Sequence, residues 1–121
     1  MNNKEKNQMA QQVTEEIYEA YPTLWSRFGQ NGRDRTEEDN HHHLDHLYAA
    51  YEMKSASFFL DYTDWLNTLL TSRGVGTNLI IDNFQRLIEN LEKIQWEDEI
   101  EKESFIRYLA LAIDQLRKLP Q

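Results

Sequence analysis

The apolar residues between positions 80 and 94 recur at alternating intervals of four and three, and this pattern constrains the fold most strongly. The series consists of Ile80, Phe84, Leu87, Leu91 and Ile94. An α-helix of about 3.6 residues per turn places such a series on one face, whereas a strand would require alternation in steps of two. An apolar helix face must be buried against other elements. The pattern therefore predicts a helix over about residues 78–95 that forms one side of a helical bundle.

Helical spacing of apolar residues continues through most of the remaining chain, and no stretch shows useful strand alternation. Besides the helix just described, the predicted helices begin near Asn7, Arg33, Ala56 and Glu97. A short helical turn is expected after Pro22. We therefore predict an all-α fold, a four- to five-helix up-down bundle. It would form a single domain over residues 7–119, preceded by a flexible N-terminus at residues 1–6.

Glycines and capping residues predict the helix boundaries. Gly29 and Asn31-Gly32 are expected to separate two helical segments. Ser55 and Thr77 are predicted to be N-caps, because a hydroxyl oxygen accepts hydrogen bonds from the first free backbone N–H groups of a helix. Gly74 is predicted to end the third helix. On this interpretation every glycine of the chain lies at a helix end and none lies inside a helix.

The acidic composition narrows the classes of partner. The formal net charge is −8 over 121 residues, and phosphate backbones and anionic membranes select Lys/Arg surfaces, so neither nucleic acid nor a membrane is an expected partner. A basic protein partner agrees better with this charge. The wide apolar faces of the last three helices predict self-association as a homodimer. There is no cysteine, no signal peptide and no membrane-spanning apolar run, so a cytoplasmic protein is expected.

The second predicted helix carries polar side chains in line with its apolar stripe. Projection at about 100° per residue places Arg33, Glu37 and Asn40 on that line, with His41 on one flank. Two interpretations remain open. Either the helix leaves the core here and Arg33 forms an ordinary surface ion pair with Glu37, or the four residues line a polar pocket. In such a pocket the buried charges must pair with each other or bind a ligand.

All four histidines lie within six positions, which makes metal binding an obvious hypothesis. Asp39 and His43 are spaced i,i+4, as are His42 and His46, and either pair can chelate an ion. However, a zinc site needs three or four ligands, and neither a His-Glu-x-x-His motif nor the repeated Glu/His pairs of di-iron bundles is present. We therefore expect no physiological metal and no cofactor. The projection directs His42 and His46 toward solvent and places Asp39 and His43 on a flank of the core.

Sequence patterns for catalysis are also missing. The segment Arg73–Thr77 has glycines but lacks the Lys-Ser/Thr pair of a P-loop. No serine lies in a nucleophile-elbow motif, and a short helical bundle offers little room for a substrate cleft. The chain is therefore predicted not to be an enzyme.

Three segments together resemble a known family. They are an Arg/Glu-Asp stretch that runs into a His-Leu pair, an Asp-Tyr…Trp helix and an Arg-Gly-Val turn. The positions concerned are Arg35, Glu38, Asp39, His43, Leu44, Asp61, Tyr62, Trp65, Arg73, Gly74 and Val75. In this order they resemble the helical domain found N-terminal to the vitamin-B12-binding module in a group of bacterial regulatory proteins. The resemblance covers about residues 21–91 and implies a regulatory or sensory helical domain.

One departure from that family limits what the resemblance implies. The Asp-x-His-x-x-Gly loop of the B12-binding module is absent, and Asp45-His46-Leu47 does not supply it because no strand precedes it and no glycine follows. Cobalamin binding is therefore not expected. The resemblance instead directs attention to Asp39 and His43, expected to face Tyr62 and Trp65 on the next helix as a polar lock between the two helices.

These observations lead to one prediction and two alternatives. The prediction is a non-catalytic, cytoplasmic helical module for regulation or protein interaction. The first alternative is a small-ligand or metal-binding sensor domain that uses Asp39, His43 and Trp65. The second, from a different class, is a metal-dependent hydrolase-like bundle. In either case Asp39 and His43 are expected to matter, and the pair His42 and His46 is expected to be dispensable.

Overall fold

The computed structural model describes residues 1–120, which form five α-helices and no strand. The helices are α1 Asn3–Ala20, α2 Thr23–Met53, α3 Ala56–Ser72, α4 Thr77–Lys93 and α5 Glu99–Arg117. The predicted all-α fold is confirmed. Within these residues no helix combines the length and the apolar character needed to cross a bilayer. The chain divides into two compact units, the first ending at Asp45 and the second beginning at His46.

In the first unit α1 pairs with the part of α2 that precedes residue 46. Lys6 near the start of α1 lies 2.8 Å from Asp45, from Nζ to Oδ1. The ring of Tyr18, near the end of α1, packs edge-on against Trp25 at 5.0 Å between centroids. Early residues of α1 thus meet late residues of this α2 segment, so the two helices run antiparallel.

The helix α1 begins four residues earlier than predicted. Asn2 is its N-cap, because Asn2 Oδ1 accepts from the backbone N–H of Glu5 at 2.8 Å. Glu5 Oε1 in turn accepts from the backbone N–H of Asn2 at 3.0 Å. This reciprocal capping box satisfies donors that a helix start otherwise leaves without partners. The expectation that residues 1–6 precede the helical part of the chain is therefore wrong from Asn3 onward.

Two glycines within α2 have different effects on the helix. Gly29 interrupts it, with φ 63° and ψ −160°, a conformation that essentially only glycine adopts. Asn31 and Gly32, which were predicted to belong to the same break, are helical. A Cβ added at Gly32 would overlap Phe28 Cβ and lie 3.0 Å from the Tyr18 hydroxyl. The prediction that no glycine lies inside a helix is wrong, because Gly32 is helical. A glycine is needed there because it leaves space for close packing.

In the second unit α4 packs on α5, and α3 packs on both. Its core contains three phenylalanines, one from each helix: Phe59, Phe84 and Phe105. The rings of Phe59 and Phe84 lie 5.7 Å apart between centroids. The series that predicted α4 is buried from Ile80 to Leu91, and its last member, Ile94, is the C-cap of the helix. The periodic pattern therefore marks the face by which α4 joins this core.

Helices α2 and α3 end in the same kind of turn. The N–H of Ser55 donates to the carbonyl of Ala50 at 2.9 Å, and the N–H of Val75 donates to Leu70 at 2.9 Å. Both turns require one residue in the left-handed region. After α3 this residue is Gly74, with φ 86°, so the predicted glycine stop is confirmed. After α2 it is Lys54, with φ 53°, where a side chain costs about 1 kcal/mol.

Only one of the two predicted N-caps is correct. The Ser55 side chain accepts from the N–H of Phe58 at 3.2 Å and caps α3. The N-cap of α4 is Gly76, which has no side chain to accept a hydrogen bond. Thr77 is the first residue of α4, and its hydroxyl donates to Asn67 Oδ1 at 2.7 Å. A tertiary hydrogen bond to α3 has therefore taken the place of the expected cap.

Candidate functional site

Arg33 lies between carboxylates of two helices in the first unit. Its Nη1 atom is 2.6 Å from Glu37 Oε1 on α2, and its Nη2 atom is 3.8 Å from Glu15 Oε1 on α1. The Arg33 side chain is only 15% exposed. A guanidinium held away from water in this way must be compensated by negative charge. The predicted i,i+4 partner is present, and the structure adds the carboxylate from α1.

A row of polar side chains, three of them buried and one half-buried, joins α1 to α2 beside this ion pair. Asn40 has no exposed surface; its Nδ2 group donates to the carbonyl of Thr36 at 3.0 Å and lies 3.5 Å from Thr14 Oγ1. One turn away, the Tyr18 hydroxyl is hydrogen-bonded to Thr36, and burial raises the pKa of Tyr18. We call Thr14, Tyr18, Thr36 and Asn40 the polar row. It locks α1 to α2.

The remaining predicted site residues fall in both units. Asp39 and His41 are half-buried, His43 is 3% exposed, and all three belong to the first unit. Tyr62 and Trp65 belong to the second unit. Within the first unit the structure thus brings Arg33 together with Glu37 and places Asn40 in the polar row. Asp39 and His43 are engaged in interactions within the chain, and their predicted lock with Tyr62 and Trp65 stays a prediction.

Metal ligands do not converge in the part of the chain that the structure describes. Residues 1–120 contain no group of three His, Asp or Glu side chains that could hold an ion. The pairs Asp39/His43 and His42/His46 therefore have no third ligand close by. A two-ligand pair on one helix is not a structural or catalytic zinc site.

His46 has a different environment from the one predicted. His42 is exposed as expected, but the His46 ring stacks on Tyr62 at 3.8 Å and 15°, and on Phe58 at 5.9 Å and 19°. It is half-buried. The prediction that His46 points to solvent is wrong, because a projection of one helix cannot show rings that a second helix brings against it.

Trp65 extends this row of rings to the surface of α3. Its ring lies 6.0 Å from that of Tyr62, with 33° between the planes, yet 59% of Trp65 is exposed. We call Phe58, His46, Tyr62 and Trp65 the ring stack. It orients a large indole while leaving most of that indole in water.

Sequence reasoning missed a contact between the end of α2 and the start of α5. The Tyr51 hydroxyl donates to Asp98 Oδ2 at 2.7 Å. Asp98 is the N-cap of α5, and its Oδ1 accepts from the N–H groups of Ile100 and Glu101 at 2.9 and 3.3 Å. The rings of Tyr48 and Tyr51 are 6.5 Å apart. We call this region the acidic tyrosine face: Tyr48, Tyr51, Glu52, Asp98, Ile100 and Glu101.

Hydrogen bonds and nearby charges shift the pKa values of three groups in the acidic tyrosine face. The hydrogen bond to Asp98, with burial and nearby carboxylates, raises the pKa of Tyr51 to about 12. A hydrogen bond with Glu52, followed by the charge of that residue, raises the pKa of Tyr48. The hydrogen bond from Tyr51 lowers the pKa of Asp98, and backbone donors act in the same direction. Asp98 is therefore an anion at neutral pH. Its spacing to Glu101 is a capping-box pattern that could have indicated the N-cap.

Replacing Tyr51 by phenylalanine is expected to raise the pKa of Asp98 toward its ordinary 3.8, because the largest cause of the lowering is removed. A carboxyl NMR titration measures this. The pair of Tyr51 and Asp98 stabilises the folded state fully in the pH range between the ordinary pKa values of the two groups, 3.8 for Asp98 and 10.0 for Tyr51. The contribution of Asp98 is lost as pH falls through its lowered pKa, and that of Tyr51 as pH rises toward about 12. Tyr48→Phe is the control; an unchanged Asp98 titration in Tyr51→Phe would contradict the assignment.

Comparison with protein families, with curated proteins and with solved structures finds no match to this chain. The resemblance to the helical domain that accompanies B12-binding modules therefore stays a prediction. The function must be inferred from the side chains that the two units present.

Proposed function

We propose that the chain is a non-catalytic helical module that binds a protein partner in a regulatory role. The observation that carries the proposal is the exposed indole of Trp65, held in place by the ring stack. Tryptophan is enriched among residues that dominate binding energy at interfaces. A side chain whose orientation is already restricted loses less conformational entropy on binding. Covering Trp65 would thus remove apolar surface from water at a low ordering cost.

The charge of the chain supports a protein as the partner. A net charge of −8 disfavours phosphate-rich ligands. A metal-binding sensor or a metal-dependent hydrolase would require metal ligands gathered around Asp39 and His43, and residues 1–120 supply no set of three. The regulatory part of the proposal is supported by the family resemblance, and a cytoplasmic location agrees with a chain that contains no cysteine.

Site-specific photo-crosslinking in cells tests the proposal. A photoreactive amino acid at position 65 is expected to capture one defined protein, identified by mass spectrometry. The matched control is position 93, where Lys93 is exposed on α4. Capture of the same mixture at both positions, or of nothing at position 65, would contradict the proposal.

Sedimentation equilibrium then determines whether the captured partner is a second copy of the chain. If the chain forms a homodimer through Trp65, the apparent molar mass of the wild type should rise with protein concentration. The apparent molar mass of Trp65→Ser should stay at that of the monomer. Because Trp65 is mostly exposed, this variant is expected to fold, which circular dichroism verifies.

A further inference from the structure

We infer that Asn31, an exposed residue followed by Gly32 just after the break at Gly29, is a site of spontaneous deamidation. The reaction involves the chain and water alone, so it does not rest on the proposed interaction function. Three features support it: the residue that follows Asn31, the surroundings of its side chain, and the nearby interruption of the helix. The first unit therefore contains a position that changes covalently with time.

The chemistry uses a neighbouring group of the chain as the nucleophile. The backbone nitrogen of Gly32 attacks the side-chain carbonyl carbon of Asn31, a bond forms between these two atoms, and the bond from that carbon to Nδ2 breaks. The proton of the backbone nitrogen leaves with Nδ2 as ammonia. Water then opens the cyclic imide at either carbonyl group, which yields aspartate or isoaspartate. Glycine obstructs the attack least among the residues that can follow asparagine, because it has no Cβ.

The amide of Asn31 is not held by a hydrogen bond. Asn31 is exposed, and its side chain has no partner among residues 1–120. The preceding Gln30, in contrast, donates to Asp34 at 2.9 Å, and Asn40 is buried in the polar row. An amide with a partner must break that hydrogen bond before it can react. The Asn31 side chain can rotate toward the backbone nitrogen of Gly32 without this cost.

The break at Gly29 also releases the backbone nitrogen that must attack. In a regular α-helix the N–H of Gly32 would donate to the carbonyl of Phe28, four residues earlier. The ring closed by that bond contains both dihedral angles of Gly29. At φ 63° and ψ −160° these angles are far from helical values, and the ring does not close. Gly32 thus lies in the first turn of a new helical segment, where N–H groups lack intrahelical acceptors.

The two products are expected to affect the first unit differently. Isoaspartate adds a methylene group to the main chain directly before Gly32. That glycine lies so close to its neighbours that a Cβ there would overlap Phe28 Cβ and come within 3.0 Å of the Tyr18 hydroxyl. Aspartate leaves the main chain unchanged and places an exposed carboxylate in a first helical turn, which is favourable. Isoaspartate should therefore weaken the packing of α1 on α2, whereas aspartate should not.

Peptide mapping by mass spectrometry of the folded protein, kept at mildly alkaline pH, measures the conversion. Asn78 is the internal control, because it is exposed in the first turn of α4 but is followed by Leu79. Asn31 is expected to convert at least about tenfold faster than Asn78, a difference of about 1.4 kcal/mol in activation free energy. An isoaspartate-specific methyltransferase with S-adenosylmethionine should label the aged wild type far more than the aged Asn31→Gln protein.

Urea denaturation separates the effects of the two products. The aged wild type is expected to unfold at a lower urea concentration than the fresh protein. Fresh Asn31→Asp carries the new charge without the added methylene group and should unfold at the wild-type midpoint or above it. Equal conversion at Asn31 and Asn78, or conversion of Asn31 only in urea-unfolded protein, would overturn the inference. So would an aged, converted protein as stable as Asn31→Asp. None of these outcomes depends on the capture of a partner at position 65.

Discussion

Gly32→Ala is expected to lower the free energy of unfolding by about 2 kcal/mol, although alanine is the better helix former. In an open helix the substitution would stabilise by about 1 kcal/mol. Here the new Cβ would overlap Phe28 Cβ, which is attached to the backbone and cannot rotate away, and would crowd the Tyr18 hydroxyl at 3.0 Å. The helix or Tyr18 must therefore shift, which disturbs the polar row. Urea denaturation followed by circular dichroism measures the change.

Gly76→Ser is the matched control for this substitution. A Cβ at Gly76 meets no atom within 4 Å, its φ is −70°, and the serine hydroxyl can cap α4. The control is expected to be neutral or stabilising by a few tenths of a kcal/mol. A Gly32→Ala protein as stable as the wild type would show that packing does not require this glycine.

Asn40→Asp is expected to cost about 3 kcal/mol at neutral pH. The substitution removes the donor to the Thr36 carbonyl and puts a carboxylate oxygen against it, at a position with no exposed surface. Burial raises the pKa of the introduced carboxyl above its value in the unfolded chain. The penalty should therefore be full above that raised pKa and diminish as pH falls through it. Denaturation curves between neutral and mildly acidic pH measure both effects.

Asn90→Asp provides the comparison for that prediction. Asn90 donates to the Arg86 carbonyl at 2.8 Å in the same i,i−4 geometry, but it is half-buried. Its substitution is expected to cost less than about 1 kcal/mol, because water can solvate the charge. Equal costs at the two positions, or a cost at Asn40 that does not diminish in acid, would contradict a buried carboxylate as the cause.

The fold class could be predicted because one helix face carries a periodic signal. All four residues of the stripe from Ile80 to Leu91 are buried. The helical period of such a stripe can be recognised without knowing which elements it packs against. Boundaries were less predictable. Gly29 breaks a helix and Gly32 provides packing space, and the residue type alone does not distinguish these two roles. The packing role of Gly32 depends in part on the hydroxyl of Tyr18, which belongs to another helix.

The polar contacts within α2 were partly predictable for the same reason. Arg33 and Glu37 pair at helical spacing, and Asn40, in line with an apolar stripe, is buried. Contacts that a second helix makes with these residues could not be predicted. His46 was assigned to solvent because its own helix does not reveal the rings of Phe58 and Tyr62.

The acidic tyrosine face shows the same limit over a longer separation. The hydrogen bond from Tyr51 to Asp98 joins residues 47 positions apart. No local pattern links them, because a tyrosine at the end of one helix and an aspartate at the start of another are each ordinary for their positions. Only tertiary packing brings them together, so this surface could be recognised from the structure alone.

Lys54, which adopts a left-handed conformation after α2, is a position where one substitution is expected to stabilise the protein for mutational studies. Lys54→Gly would place at this turn the residue that the equivalent turn after α3 already contains, Gly74, and release about 1 kcal/mol of strain. Position 54 lies outside the polar row, the ring stack and the acidic tyrosine face. A Lys54→Gly background would therefore keep damaging variants folded while their partners are being identified.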